Sequence, residues 1–148
     1  MATYNKKVKN ATLSILYDIK FKSKLEKGIY KFLKEKNIDV KYEPLKCTIW
    51  DSGKFTVPYF NKIGRKGFMQ VLSKPIAIHY TPDFIFKYNG YEIFLEAKGF
   101  TNDVFPYKAK LFRQWLEDYS KKENKRVCYA VVYSIKNVSS LLEYLNNL

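Results

Sequence analysis

The dipeptide Asn89-Gly90 narrows the folds open to this chain more than any other feature. Phe84–Tyr88 and Tyr91–Lys98 flank it, both rich in aromatic and β-branched side chains. Asn-Gly supplies the two positive-φ positions of a tight hairpin turn, so antiparallel strands are expected on either side. Pro82 cannot donate to a ladder and suits a strand start, which sets Asp83 at the mouth of the first strand. Glu96 and Lys98, two residues apart, project from one face of the second strand, and Ala97 from the other. Both strand ends lie away from the turn, so the hairpin is expected to bring Asp83 towards Glu96 and Lys98. Two carboxylates and an ammonium then emerge together from a run of Phe, Ile, Leu and Ala. Buried charge is costly unless it is paired or bound to a metal, and this convergence is the candidate site. The simpler alternative is a solvated strand end that carries charges.

What surrounds the hairpin is expected to be one domain over residues 1–148, with a basic arm at 1–10 and a basic insertion at 51–75. A length of 148 residues with 47% hydrophobic and 18% aromatic side chains suffices for a core. The 27 Lys and Arg against 14 Asp and Glu give a net charge of +13, which favours a polyanionic partner, nucleic acid first. No apolar run is long enough to span a bilayer. The opening Met-Ala-Thr-Tyr-Asn-Lys-Lys lacks the apolar core of a signal peptide, so a cytoplasmic protein is expected. Cys47 and Cys128 lie far apart in apolar, strand-like runs and read as reduced packing residues. With one histidine in the chain, a classical zinc site is not expected.

In chain order, Lys6, Lys7 and Lys9 form the arm, and Ala11–Phe21 is open between a short helix and an extended segment. Ser23-Lys24-Leu25-Glu26 fits the capping-box pattern, and Leu25, Ile29, Phe32 and Leu33 predict a helix that Asn37 ends near Lys36. As a box member, Glu26 would accept a hydrogen bond from the backbone at Ser23. Ile38–Trp50 is strand-like, with a bend expected at Pro44. Asp51-Ser52-Gly53 reads as a turn and Phe55–Phe60 as a short strand. Asn61–Gly67 reads as a basic loop whose Lys62, Arg65 and Lys66 either contact DNA or are simply solvated. His79 adjoins the site in sequence, where a packing or hydrogen-bonding role is the commoner one. Thr101-Asn102-Asp103 offers caps for a helix from about Val104 to Lys121, its buried face drawn from Tyr107, Leu111, Trp115 and Tyr119. Arg126–Tyr133 reads as a central strand covered on both faces, and Val138–Leu145 as a last helix. The order predicts an α/β domain, a mixed β-sheet flanked by helices.

Phe21-Lys22-Ser23-Lys24-Leu25-Glu26, Tyr80-Thr81-Pro82-Asp83-Phe84, Glu96-Ala97-Lys98-Gly99 and the basic helix after them fall in one order across about 21–133. This set resembles the PD-(D/E)XK nuclease superfamily, and more narrowly the phage endonuclease I group of Holliday-junction-resolving enzymes and related small phage nucleases. The segment between Asp51 and Pro75 has no counterpart in the pattern. The resemblance implies a restriction-endonuclease-like core and a glutamate on the first helix, here Glu26, joining the metal site. It further implies a branched DNA substrate, a homodimer, a host cytoplasm if the chain is phage-encoded, and DNA contacts from the basic helix, where Lys108, Lys110 and Arg113 stand.

The residue types suit that chemistry. Asp83 and Glu96 are hard oxygen donors for Mg²⁺, with Mn²⁺ able to substitute, and the backbone carbonyl of Ala97 could complete the shell. Lys98 could orient or deprotonate the attacking water or stabilise the anionic transition state. Glu26 could hold a second metal or an outer-shell water. Two alternatives use the same residues differently: a sequence-specific homing or restriction-like endonuclease, and a basic nucleic-acid-binding module without catalysis.

Overall fold

The computed structural model describes residues 14–148. The arm at 1–10, and the first part of Ala11–Phe21, lie outside the described residues. Tyr17 and Asp18, at φ 51° and 61°, turn β1 (Ser14–Leu16) into an antiparallel β2 (Ile19–Phe21). The described part of that ambiguous segment is therefore a hairpin. Ser23 caps α1 (Lys24–Glu35), its Oγ accepting from the Glu26 N–H at 3.1 Å. Asn37, at φ 57°, turns the chain out of the helix.

The expected bend divides Ile38–Trp50 completely. Glu43 at φ 44° precedes Pro44, and the halves become β3 (Lys41–Tyr42) and β4 (Cys47–Trp50), which join different sheets. Residues 51–59 run without regular structure, so neither the turn at Asp51-Ser52-Gly53 nor most of the strand expected over Phe55–Phe60 forms. A hairpin stands in the basic insertion instead: β5 (Phe60–Lys62), a 3₁₀ turn at Gly64–Lys66, and β6 (Phe68–Gln70). Every residue of both strands is exposed, so no alternation between core and solvent marks them in the sequence.

β7 (Ile78–Tyr80) pairs antiparallel with β4. β8 (Phe84–Tyr88) and β9 (Tyr91–Ala97) form the expected hairpin, with Asn89 at φ 45° and Gly90 at φ 77°. α2 (Phe105–Glu123) then leads to β10 (Val127–Val132), and α3 (Ile135–Asn146) closes the chain under a Ser134 cap. The main sheet has the order β10-β9-β8-β3 and is mixed, with β10 parallel to β9 and the other pairs antiparallel. With three α-helices among the described residues, the protein is a mixed α/β fold.

Alternation along β9 builds two cores. Ile93 and Leu95 face α1 and α3 and join Phe84, Phe86, Ile29, Leu33, Val138 and Leu142. Phe94 points the other way, into a cluster of Phe112, Leu116, Cys47, Ile49 and Tyr80. β10 packs against both clusters, which is why its sequence reads as central. Among the described residues it is an edge strand, bordered by β9 alone. The buried face of α2 also differs from expectation. Phe112 and Leu116 are its buried residues, Leu111, Trp115 and Tyr119 pack around them, and Tyr107 is exposed. A strict four-residue spacing drifts about 40° per step on a helix of 3.6 residues per turn, so that stripe leaves the core at its first member. Both cysteines are free thiols. Among the described residues no helix is long and apolar enough to cross a membrane.

The β8–β9 turn is also tied to α3, since the Asn89 side-chain amide donates to the Leu145 carbonyl. Gly90→Ala keeps that tie but places a Cβ in a left-handed conformation. It is expected to cost about 1 kcal/mol, read as a lower urea midpoint at unchanged slope; an unaltered midpoint would show that the turn does not depend on glycine.

Candidate active site

Pairing of Phe84 with Leu95 makes Asp83 and Glu96 the next opposed residues, on the α2 side of the sheet. Asp83 Oδ2 accepts the Ala97 N–H at 2.7 Å, a bond from the neighbouring strand that fixes the carboxylate at the hairpin's open end. The Glu43 N–H donates to the Asp83 carbonyl at 2.8 Å, so the backbone here is held from the β3 side too. Lys98 lies one residue beyond β9, but its N–H donates to the Val132 carbonyl and carries the β9–β10 register forward. Its Nζ sits 2.5 Å from Glu96 Oε1 and 4.3 Å from the centre of the Phe105 ring. Asp83, Glu96 and Lys98 therefore come together as the hairpin predicts.

Glu26 arrives from the other layer, on the first turn of α1. Its side chain accepts from the Ser23 hydroxyl at 2.9 Å and the Lys22 N–H at 3.2 Å. The backbone arm of the expected capping box thus goes to Lys22 and not to Ser23. The Tyr42 hydroxyl completes the set, 2.6 Å from Oε2. Glu26, Asp83 and Glu96 are 6%, 8% and 5% exposed, and they are the buried charged residues among those described.

Burial comes first in raising Asp83 well above the usual carboxylate range, followed by the charges of Glu96 and Glu26; the Ala97 N–H and Lys98 oppose it. Three acids within electrostatic reach of one another, with one ammonium among them, carry more negative charge than the local cation offsets. They are nevertheless not gathered into a ready-made cage, since no three His, Cys, Asp or Glu side chains among the described residues form a metal-holding group.

Tyrosines supply what the sequence did not flag. Tyr80 donates to Glu96 Oε2 at 2.7 Å, and its hydroxyl lies 2.9 Å from that of Tyr129. Burial, then Glu96, holds Tyr80 far above the usual phenol range. Burial likewise pushes Tyr129 up to about 12, and burial followed by the Glu26 hydrogen bond raises Tyr42. All three stay protonated at neutral pH and act as fixed donors. The available signal was a general one: a tyrosine in an apolar strand must find its hydroxyl a partner.

Among the described residues, none of the other predicted side chains makes a hydrogen bond or ion pair with the acids. Lys62, Arg65 and Lys66 sit on the exposed β5–β6 hairpin. Lys110 and Arg113 are exposed on α2, and Lys108 is half-buried there. His79 bonds across the β4–β7 pair, its Nδ1 3.1 Å from Thr48 Oγ1, which is the hydrogen-bonding role. The structure shows the N–H of Ala97 engaged with Asp83. Comparison with protein-family models, curated proteins and solved structures found no match.

The raised Asp83 sets a pH dependence. Below the ordinary carboxylate range both folded and unfolded chains hold the proton. As pH rises through that range the unfolded chain releases it first, and the folded state loses stability until Asp83 itself ionises. Asp83→Asn keeps an acceptor for the Ala97 N–H and removes the ionisation. In chelator at pH 7 it is expected to melt about 3 °C or more above the wild type, the shift ~1 kcal/mol gives in a chain this size. The difference should vanish below about pH 4. A pH-independent difference would place the effect outside Asp83 ionisation.

Proposed function

We propose that the protein is a metal-dependent DNA endonuclease, acting on branched DNA in the manner of Holliday-junction-resolving enzymes and built on a restriction-endonuclease-like core. One observation carries this: the buried charged residues among those described are the three acids Glu26, Asp83 and Glu96, held at one end of the central hairpin. Burying three carboxylates without full compensation costs stability, and a divalent cation bound in their midst would offset that cost. The element order helix, antiparallel hairpin, helix, parallel strand supports the same reading.

The residues present fit Mg²⁺. Their donors are hard oxygens, and Mg²⁺ is usually held by one or two carboxylates together with waters and substrate phosphate instead of an all-protein cage. Asp83 and Glu96 would hold it, with Mn²⁺ able to substitute, the Ala97 carbonyl available as a further ligand, and Glu26 at a second metal or an outer-shell water. Bound there, the ion would lower the pKa of a water and polarise the scissile phosphate. The protein's own groups do the rest. Tyr80 and Tyr42 hold one oxygen each of Glu96 and Glu26, which orients the two carboxylates. Lys98, freed from Glu96 as charge is redistributed, would orient the attacking water or steady the developing anion. A homodimer would place two such sites against two strands, and the host cytoplasm would be the setting if the chain is phage-encoded.

The closed Glu96–Lys98 ion pair also suits a basic DNA-binding module that does no chemistry. Supercoiled plasmid separates the two. Nicking in Mg²⁺ that stops with chelator is expected of the wild type, with Asp83→Asn and Glu96→Gln slower by about 10²-fold or more in single turnover while binding DNA as well or better. Mg²⁺ should also raise the melting temperature of the wild type but not of Asp83→Asn. Nicking by either variant at the wild-type rate would overturn the assignment.

Glu26→Gln separates two roles of that residue. An amide oxygen still accepts from Tyr42 and the Lys22 N–H but is a poor ligand for a hard cation. The expected outcome is a stability loss of at most about 1 kcal/mol with cleavage slower by about 10²-fold. Full activity in a destabilised variant would make Glu26 a cap alone.

A further inference from the structure

We propose that the β5–β6 ribbon is a docking element for DNA with unpaired bases, stacking them on Phe60 and Phe68 while its cations hold the flanking phosphates. The inference rests on the nuclease reading only for the choice of DNA as partner. Between Ser52 and Pro82 the chain carries Lys54, Lys62, Arg65, Lys66 and Lys74 and no Asp or Glu. The ribbon at its centre is exposed on both faces. A two-stranded hairpin that packs against nothing is marginal in water, so its side chains serve something other than the core.

The register shows what each face offers. Phe60 opposes Gln70 and Lys62 opposes Phe68, and opposed residues share a face. One face therefore presents Phe60, Phe68, Lys62 and Gln70 together. The two rings lie across the diagonal, centroids 6.0 Å apart and 23° from parallel, with 50% and 76% of the residues exposed. Asn61 and Met69 occupy the opposite face, where Asn61 Nδ2 donates to the Tyr59 hydroxyl. At the tip, Gly64 and Gly67 at φ 48° and 83° form a tight turn that projects Arg65 and Lys66.

Flat aromatic faces beside cations match single-stranded nucleic acid, where each base offers a π-face and each nucleotide a phosphate. A paired duplex hides those faces within its stack. A second copy of this chain fits poorly, because two ribbons of the same charge repel. An anionic membrane would also attract the cations, but Lys62 and Gln70 share the aromatic face and interrupt the apolar surface that insertion requires. The ribbon's legs run from β4 and into β7, whose last residue, Tyr80, holds Glu96. A strand caught on the ribbon is thereby tethered through the chain to the element that positions the acids.

Binding is measured in chelator, so that nothing is cleaved, with a DNA duplex carrying a short unpaired loop and the same duplex fully paired. The double variant Phe60→Leu, Phe68→Leu is expected to lose about 10-fold or more for the looped DNA and less than about 2-fold for the paired one. Lys62→Gln, Arg65→Gln, Lys66→Gln should weaken both and flatten the dependence on salt. As a readout independent of any variant's folding, 5-iodouracil in the loop should photocrosslink the wild type at Phe60 or Phe68. Equal losses on the two DNAs, no loss on either, crosslinks only elsewhere, or tighter binding to phosphatidylserine vesicles than to looped DNA would each overturn the proposal. The nuclease reading fails separately, by absence of Mg²⁺-dependent nicking, and these binding results stand whatever that outcome.

Discussion

The hydrogen bond from the Ala97 N–H to Asp83 Oδ2 is the point on which the rest of the site depends. It crosses the two central strands at their open end and ties the Asp83 carboxylate to the backbone of β9. The register of those strands is set by the Asn89-Gly90 turn and by the alternation that sends Ile93 and Leu95 one way and Phe94 and Glu96 the other. A slip of one residue would reverse that alternation and exchange Glu96 for a core side chain. The forces that bury Leu95 thus also place Glu96.

Around that bond each acid is held by a donor that does not ionise at neutral pH: Ala97 N–H for Asp83, Tyr80 for Glu96, Tyr42 for Glu26. Neutral donors orient a carboxylate without cancelling its charge. Among the described residues, Lys98 is the cation paired with one of these acids, through Glu96. The outcome is a buried acidic cluster, which agrees with Asp83 being pushed above the carboxylate range by burial and by its acidic neighbours. A cage already closed by cations would give the opposite shift.

Legibility in the sequence followed the physics of each element. The hairpin and the convergence of Asp83, Glu96 and Lys98 were readable because turn chemistry and a period of two are local signals. The Ser23 cap and the end of α1 at Asn37 were readable for the same reason. The partners of the acids were not. Tyr42 is 16 residues from Glu26 and Tyr80 is 16 from Glu96, and only the packed fold brings them together. β10 misled because an apolar strand between two helical layers looks the same at the edge of a sheet as at its centre. The β5–β6 hairpin was invisible because it buries nothing and its turn, Ile63-Gly64-Arg65-Lys66-Gly67, is longer than the two-residue loops that announce themselves.

The buried acids and the exposed ribbon stand in opposite physical regimes. The acids are buried, where charges act strongly and bulk salt screens them little. The ribbon's cations stand in water, where their attraction for a polyanion is long-ranged but falls as salt rises. The acids by themselves would repel phosphate, so a DNA substrate of the kind proposed would need another source of attraction. An excess of +13 over the whole sequence, with five cations in the acid-free stretch from 52 to 82, would supply that attraction at long range. At the acids themselves a divalent cation would convert repulsion into attraction. On the proposed reading, separating capture from chemistry in this way would leave the buried acids to the metal and the exposed ribbon to the strand.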